Sequence, residues 1–167
     1  ESANVEEQIS KAQTMIAQGI KVIAIHPWEG KAILAFQKQY SGEGVKFFNL
    51  IDDVPGAVDS GYAVSFISGD ERKGGELLGQ WLATKLDAGK VAIITGTPGN
   101  FAADYRTSGF KKGIAAKPDI KVVAESSADW QRDQALRVAT DMLTANPDLA
   151  AIFANNDEMA FGALQAL

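Results

Sequence analysis

The chain has 167 residues, of which 46% are apolar and 22% charged, a composition typical of a globular protein with a buried core. Its 16 basic and 21 acidic residues give a net charge of −5 without any basic cluster, which disfavours binding to a nucleic-acid backbone. The lack of cysteine excludes disulfides and thiolate chemistry, and a single histidine, His26, disfavours a histidine-rich metal site and a Ser-His-Asp triad.

Two hydrophobic periods alternate along the first part of the chain. Apolar residues recur every three to four positions from Val5 to Ile20, which predicts a helix, and Gln18-Gly19 supplies its end. Short β-branched and aromatic runs predict strands between the helical segments. The predicted elements are a helix from Val5, a strand at 21–25, a helix at 30–39 and strands at 45–51 and 63–67.

The same alternation continues to the last residue, and no apolar run approaches the ~20 residues of a membrane span. The predicted elements are a helix at 74–86, a strand at 90–95, a helix at 102–116, a strand at 120–124, a helix at 133–145, a strand at 149–154 and a helix at 157–167. In the first of these helices we expect the large apolar side chains to face the core: Leu77, Leu78, Trp81, Leu82 and Leu86.

Strands that alternate with helices of this length predict an α/β fold with doubly wound parallel sheets. The strands are nearly continuous apolar runs, as expected for a sheet covered by helices on both faces. Ligands of such folds bind beyond the carboxyl ends of the strands. We therefore expect the functional residues in the segments that follow the strands: 26–29, 52–53, 69–71, 96–100, 126–130 and 155–157.

These segments and the predicted helix at 102–116 contain the groups that a neutral polyhydroxy ligand requires. Asp52 and Asp53 accept hydroxyl protons, and Asn156 offers both an acceptor and donors. Arg106, in the predicted helix at 102–116, offers a planar fork of donors, and Trp130 offers an apolar plate for the C–H face of a ring. The pattern favours a binding site over an enzyme, because no nucleophile–base pair has a spacing that supports catalysis.

Each of these residues also has an ordinary structural interpretation. Asp157 and Asp129 precede predicted helices and fit N-caps, and Asp52-Asp53 fits a turn before Pro55-Gly56. The other three interpretations are a solvated charge for Arg106, core packing for Trp130 and a satisfied loop residue for His26.

The loop Gly96-Thr-Pro-Gly-Asn100 invites comparison with phosphate-binding loops. It lacks the Lys-Ser/Thr pair of a Walker loop and the third glycine of a dinucleotide-binding motif. The loop is therefore interpreted as a tight connection between a strand and a helix.

Several short motifs in order along the chain resemble the type I periplasmic sugar-binding proteins, in particular those of the ribose-binding type. The strongest is Asn156-Asp-Glu-Met-Ala160 followed by Gly162-Ala-Leu164. The others are Asn4 with Gln8, Gly19 to Ile23 with Pro27, Val45 to Asp52, Asp70 with Gly74-Gly75, Arg106 with Gly109-Phe110, and Ala128-Asp-Trp130. Each motif is weak alone, but their order along the chain makes the resemblance specific.

The resemblance implies a two-lobed clam-shell with a ligand between its lobes. Residues 1–68 would belong to the N-terminal lobe and residues 69–167 to the C-terminal lobe, with the hinge crossing near 68–70. The chain starts without Met and stops inside an apolar helical run, so we expect an internal part of a longer protein in which both lobes are incomplete here.

The resemblance also implies roles for individual residues. Asp52, Arg106 and Asn156 fall on sugar-binding positions of the family, Trp130 on its stacking aromatic and Thr97 on a loop position that lines the pocket. Two departures make the expected pocket more acidic: Asp53 stands where the family has Arg, and Glu71 where it has Asn. We expect this acidity to disfavour phosphorylated and carboxylated sugars, and to favour another pentose, a hexose, a polyol or a furanone-type signal over D-ribose.

The function implied by the resemblance is capture of a sugar or polyol and its delivery to an ABC permease, in the periplasm or, with a lipid anchor, outside a Gram-positive cell. No enzymatic activity, cofactor, metal or nucleic-acid partner is implied, and the intact protein is expected to be a monomer. Two alternatives share the fold: the effector domain of a lactose-repressor-type regulator, and the sensor domain of a sugar or autoinducer-2 receptor. A DNA-binding headpiece or a membrane span in the intact chain would distinguish them.

Overall fold

A computed structural model describes residues 4–167 as an α/β protein with six helices and six strands in that range. They are α1 (Val5–Ala17), β1 (Val22–Ile25), α2 (Gly30–Ser41), β2 (Lys46–Leu50), β3 (Ser65–Ile67), α3 (Glu71–Ala83), β4 (Gly89–Thr95), α4 (Phe101–Ile114), β5 (Ile120–Ser127), α5 (Arg132–Ala145), β6 (Leu149–Ala154) and α6 (Asp157–Ala166). All twelve predicted elements are confirmed, although α3 begins three residues earlier than expected. It does so because the Asp70 side chain accepts a hydrogen bond from the Lys73 amide and caps the helix.

The chain divides into two compact units, unit 1 up to Gly69 and unit 2 from Asp70 to Leu167. Unit 1 contains a parallel sheet in the order β1-β2-β3. Helices α1 and α2 contribute to one core with the buried side chains Ile23 and Phe47, and the ring of Phe36 meets that of Phe47 edge-on at 5.4 Å. Successive side chains of a strand point to opposite faces of the sheet, and Val22, the neighbour of Ile23 in β1, is 62% exposed. The described helices therefore cover one face of this sheet.

A buried amide pair lies inside unit 1. Gln37 of α2 donates from Nε2 to Oδ1 of Asn49 in β2 over 2.6 Å, and both residues are fully buried. The other two amide atoms, Oε1 of Gln37 and Nδ2 of Asn49, have no hydrogen-bond partner among the described residues. The pair therefore joins helix to sheet at the cost of two unsatisfied polar atoms.

Unit 2 contains a second parallel sheet in the order β5-β4-β6. Four consecutive residues of the central strand β4, from Val91 to Ile94, are fully buried. Val91 and Ile93 pack in one core with α3 and α4, whereas Ala92 and Ile94 pack in another with α5 and α6. This confirms the expectation of helices on both faces for the second sheet.

Helices α3 and α4 meet through glycines rather than through large side chains. A Cβ atom at Gly75 would overlap the backbone of Arg106, and one at Gly79 would overlap the backbone of Phe110. Gly109 and Gly113 of α4 meet backbone atoms of α3 in the same way. Two helix backbones can approach this closely only where no Cβ separates them.

The expected core face of α3 is therefore partly wrong. Leu82 is buried, but Leu77, Leu78 and Trp81 are 53%, 52% and 58% exposed in the described chain. The buried positions of the helix are instead Gly75, Gly79 and Leu82. Counting large apolar residues misses this face, because two glycines form most of it.

Candidate functional site

In unit 1, a buried carboxylate follows strand β2. The chain turns sharply at Ile51, whose φ of 67° lies in the left-handed region, and the next residue, Asp52, is only 4% exposed. Oδ2 of Asp52 lies 3.0 Å from Nε2 of His26, which follows the neighbouring strand β1. The neighbouring Asp53 is half-buried. The side-chain pairing of Asp52 goes beyond the turn role that the sequence also allowed.

The loop that carries His26 is braced by α1. The Gln8 side chain donates to the His26 carbonyl over 2.7 Å and accepts from the Trp28 amide over 3.0 Å. Glu29 then caps α2 by accepting from the amides of Lys31 and Ala32. The sequence predicts that His26 is a loop residue with its polar atoms satisfied, and the 3.0 Å distance from its Nε2 to Asp52 is consistent with that prediction. Its contact with Asp52 follows from the two parallel strands that they extend, a signal that the sequence did contain.

In unit 2, Arg106 of α4 is fixed on three sides. Its Nε donates to Oε2 of Glu71 over 2.6 Å, and its Nη1 donates to the Asn155 carbonyl over 2.9 Å. Its guanidinium carbon lies 5.9 Å from the centre of the Trp130 ring, within the range of a cation–π contact. The structure thus brings together Arg106 and Trp130 as predicted, and adds Glu71 to them as an ion-pair partner.

A left-handed backbone conformation at residues 129 and 130 positions the side chain of Trp130. Asp129 and Trp130 both have positive φ values, 48° and 66°, and the Asp129 amide donates to the Ser127 hydroxyl. The indole lies directly against Gly96, where a Cβ would overlap the ring. Helix α5 begins only at Arg132, so the interpretation of Asp129 as its N-cap is wrong.

Asn155 and Asn156, which follow β6, make different hydrogen bonds. Asn155 is buried, and its side chain accepts from the Gly96 amide over 3.0 Å and donates to the Thr107 hydroxyl over 3.1 Å. Asn156 caps α6 by accepting from the Met159 amide, so the assignment of this cap to Asp157 is wrong by one residue. The Asn156 amide nitrogen also donates to the main-chain carbonyl of Trp130 over 3.4 Å, which links the start of α6 to the turn that carries Trp130.

Thr97 follows Gly96, against which the Trp130 ring lies. It is exposed and lines an open groove of about 480 Å³ between the end of β4, one side of α4 and the end of β5. Thr107, Ser108 and Ser126 also line this groove, whereas Arg106, Trp130 and Asn156 do not.

Two candidate carboxylates have side-chain partners. Asp52 lies within hydrogen-bond distance of His26, and Glu71 forms an ion pair with Arg106, with side-chain exposures of 14% and 28%. The acidic character expected from Glu71 is therefore balanced by Arg106 within unit 2. Within residues 4–167, no group of three metal-ligating side chains could hold a metal ion.

Lysine side chains lower the pKa of three carboxyl groups elsewhere in unit 2. A hydrogen bond from Lys112 holds the pKa of Glu76 below its ordinary value, and Lys117 and Lys90 lower the pKa of Asp87 and Asp148 in the same way. The arrangement at Arg106, Trp130 and Asn156 is suited to hydrogen bonding and stacking, and offers no pair for proton transfer. No helix in the described range combines the length and apolar character needed to cross a membrane.

Comparisons with known proteins show what the chain is similar to. The profile of a family described as a periplasmic binding protein domain matches residues 1–167. The ribose import binding protein RbsB of Bacillus subtilis is 35% identical over 162 residues, which cover 96% of this chain and 51% of that protein. The chain thus spans about half the length of the curated relatives it matches.

Solved structures show the same fold. An ABC transporter periplasmic solute binding protein from Actinobacillus succinogenes 130z with bound D-allose matches with a TM-score of 0.89 and 34% identity, over 98% of this chain and 58% of that one. The Caulobacter myo-inositol binding protein bound to myo-inositol matches with a TM-score of 0.88 and 32% identity, over 98% and 55%.

Proposed function

The chain belongs to the family of periplasmic binding protein domains, and we propose that it captures a neutral sugar or sugar-like polyol. The observation that carries this proposal is the guanidinium of Arg106, held by Glu71 and the Asn155 carbonyl beside the ring of Trp130. A fixed donor fork next to an aromatic face suits a ring that has hydroxyls at its edge and C–H bonds on its face.

The proposed ligand groups come from both units. In unit 2, Arg106 donates, Trp130 stacks, and Asn156 contributes the second N–H of its amide, since the first donates to the Trp130 carbonyl. In unit 1, Asp52 and Asp53 accept hydroxyl protons, and the buried position of Asp52 strengthens such a bond. Thr97 has the weakest support, since it lines a groove to which Arg106, Trp130 and Asn156 do not contribute.

Delivery to an ABC permease and a location in the periplasm or on the cell surface, with a lipid anchor in a Gram-positive cell, are also part of the proposal. They are supported by relatives whose names describe ribose import and periplasmic solute binding. These relatives are binding proteins, which supports a role in binding rather than catalysis. We propose that the intact protein is a monomer.

A thermal-shift panel tests the proposal. The purified protein is heated with D-ribose, D-allose, myo-inositol, other hexoses and autoinducer-2, since binding to the folded state raises the melting temperature by mass action. Arg106→Ala should weaken the strongest hit by about 1–3 kcal/mol, because ligand hydroxyls lose buried partners. Lys121→Ala, an exposed change on β5, is the control. A panel without any shift would contradict the proposal, as would full affinity in Arg106→Ala.

A further inference from the structure

The ion pair between Glu71 and Arg106 is the feature of unit 2 that carries a further inference. Glu71 is the first residue of α3 and Arg106 lies in the middle of α4. Their side chains are 14% and 28% exposed, so the pair is partly shielded from water. Helices α3 and α4 touch through glycine backbones, which brings the helix that carries Glu71 close to the helix that carries Arg106.

The contacts of Arg106 use only part of its donor set. Nε is committed to Glu71 and one N–H of Nη1 to the Asn155 carbonyl. The other N–H groups of the fork make no hydrogen bond to any residue that the structure describes. Glu71 therefore fixes the plane of the guanidinium and leaves its remaining donors available to a ligand.

The same contact changes the electrostatics of Arg106. An unpaired guanidinium binds carboxylate and phosphate groups through two parallel hydrogen bonds. At Arg106 a carboxylate already occupies the Nε side. An anionic ligand would have to displace Glu71 or place a second negative charge beside it, whereas a neutral hydroxyl meets no such penalty.

We propose that Glu71 is a positioning and selectivity residue: it holds Arg106 beside Trp130 and, by balancing its charge, makes the site accept neutral polyhydroxy ligands and reject sugar acids and sugar phosphates. The inference rests on the proposed function, in which Arg106 contacts the ligand. Glu71 itself acts through Arg106.

The test compares Glu71→Gln with a matched control. Glu158→Gln removes a second carboxylate that accepts from an arginine Nε in the same unit, that of Arg132 at 2.9 Å. Affinities for D-ribose, D-allose and myo-inositol, and for the anions D-ribonate and ribose 5-phosphate, are measured by calorimetry. We expect Glu71→Gln to shift the ratio of neutral to anionic affinity by about tenfold or more towards the anions. We expect Glu158→Gln to leave the ratio unchanged.

A ligand-free measurement separates the possible failures. Phenylglyoxal modification, mapped by the loss of tryptic cleavage, should be several-fold faster at Arg106 in Glu71→Gln and unchanged at Arg132. If the wild type binds neutral sugars and Glu71→Gln leaves the ratio and the modification rate unaltered, the role of Glu71 is overturned while the proposed function stands. If the wild type binds none of the neutral probes, the proposed function fails and the selectivity role fails with it, whatever the modification rate.

Discussion

The glycine contact between α3 and α4 should make one helix position intolerant of even a methyl group. A Cβ at Gly75 would overlap the carbonyl oxygen of Arg106 and stand 2.9 Å from its carbonyl carbon and 3.0 Å from the Phe110 nitrogen. These obstacles are backbone atoms that cannot rotate away. We therefore expect Gly75→Ala to cost about 3 kcal/mol, the upper end of the range for overpacking.

The neighbouring glycine provides the control. A Cβ at Gly74 would meet nothing within 4 Å, so Gly74→Ala should stabilise α3 by about 0.5–1 kcal/mol through helix propensity alone. Urea unfolding followed by circular dichroism measures both changes. With a slope of about 1.5 kcal/mol/M, Gly75→Ala should lower the midpoint of unit 2 by about 2 M. Equal midpoints for Gly75→Ala and the wild type, or equal losses in both variants, would refute the argument.

Three further outcomes are expected. Asn156→Ser keeps a capping oxygen and should preserve stability while it weakens sugar binding, whereas Asn156→Ala should also cost about 1 kcal/mol in thermal unfolding. Gln37→Leu alone should cost about 1–3 kcal/mol in urea unfolding, and adding Asn49→Leu should restore most of it, because no orphaned amide then remains. Because ion pairing lowers the pKa of Glu76, the ionised carboxylate stabilises the folded state at pH values above the pKa of the unfolded state. This stabilisation is lost as the pH falls through the lowered pKa of the folded state. The stability deficit of Glu76→Gln should therefore shrink between about pH 7 and about pH 3.

The α/β fold was predictable because strand and helix periods alternate cleanly along the chain. The core face of α3 was not. Gly75 and Gly79 become core positions only because α4 presents Gly109 and Gly113 to them, and this pairing joins residues about thirty positions apart. A pattern within one helix cannot contain that information, so Trp81 was wrongly placed in the core.

The sequence predicts which chain segments form the candidate site, but it predicts the contacts of individual residues less well. The rule that ligands bind beyond strand ends led to Trp130, and the donor chemistry and family motif of the helix at 102–116 led to Arg106. The structure brings these two residues together. The rule on strand ends does not tell which of two adjacent residues after a strand points into the site, because the direction of each side chain depends on the local backbone turn. Asn155 was therefore missed although it ties Gly96 to Thr107, and the α6 cap was assigned one residue too late.

The most direct test of the account is the fluorescence of Trp130 alone. Trp28 and Trp81 are 51% and 58% exposed, so changing both to Phe removes the other two tryptophans at little cost to stability. This variant is titrated with D-ribose, D-allose, myo-inositol and D-ribonate. The account predicts a saturable change with at least one neutral sugar or polyol and none with the anion. A sugar that raises the melting temperature without altering Trp130 fluorescence, or a response to D-ribonate alone, would contradict it.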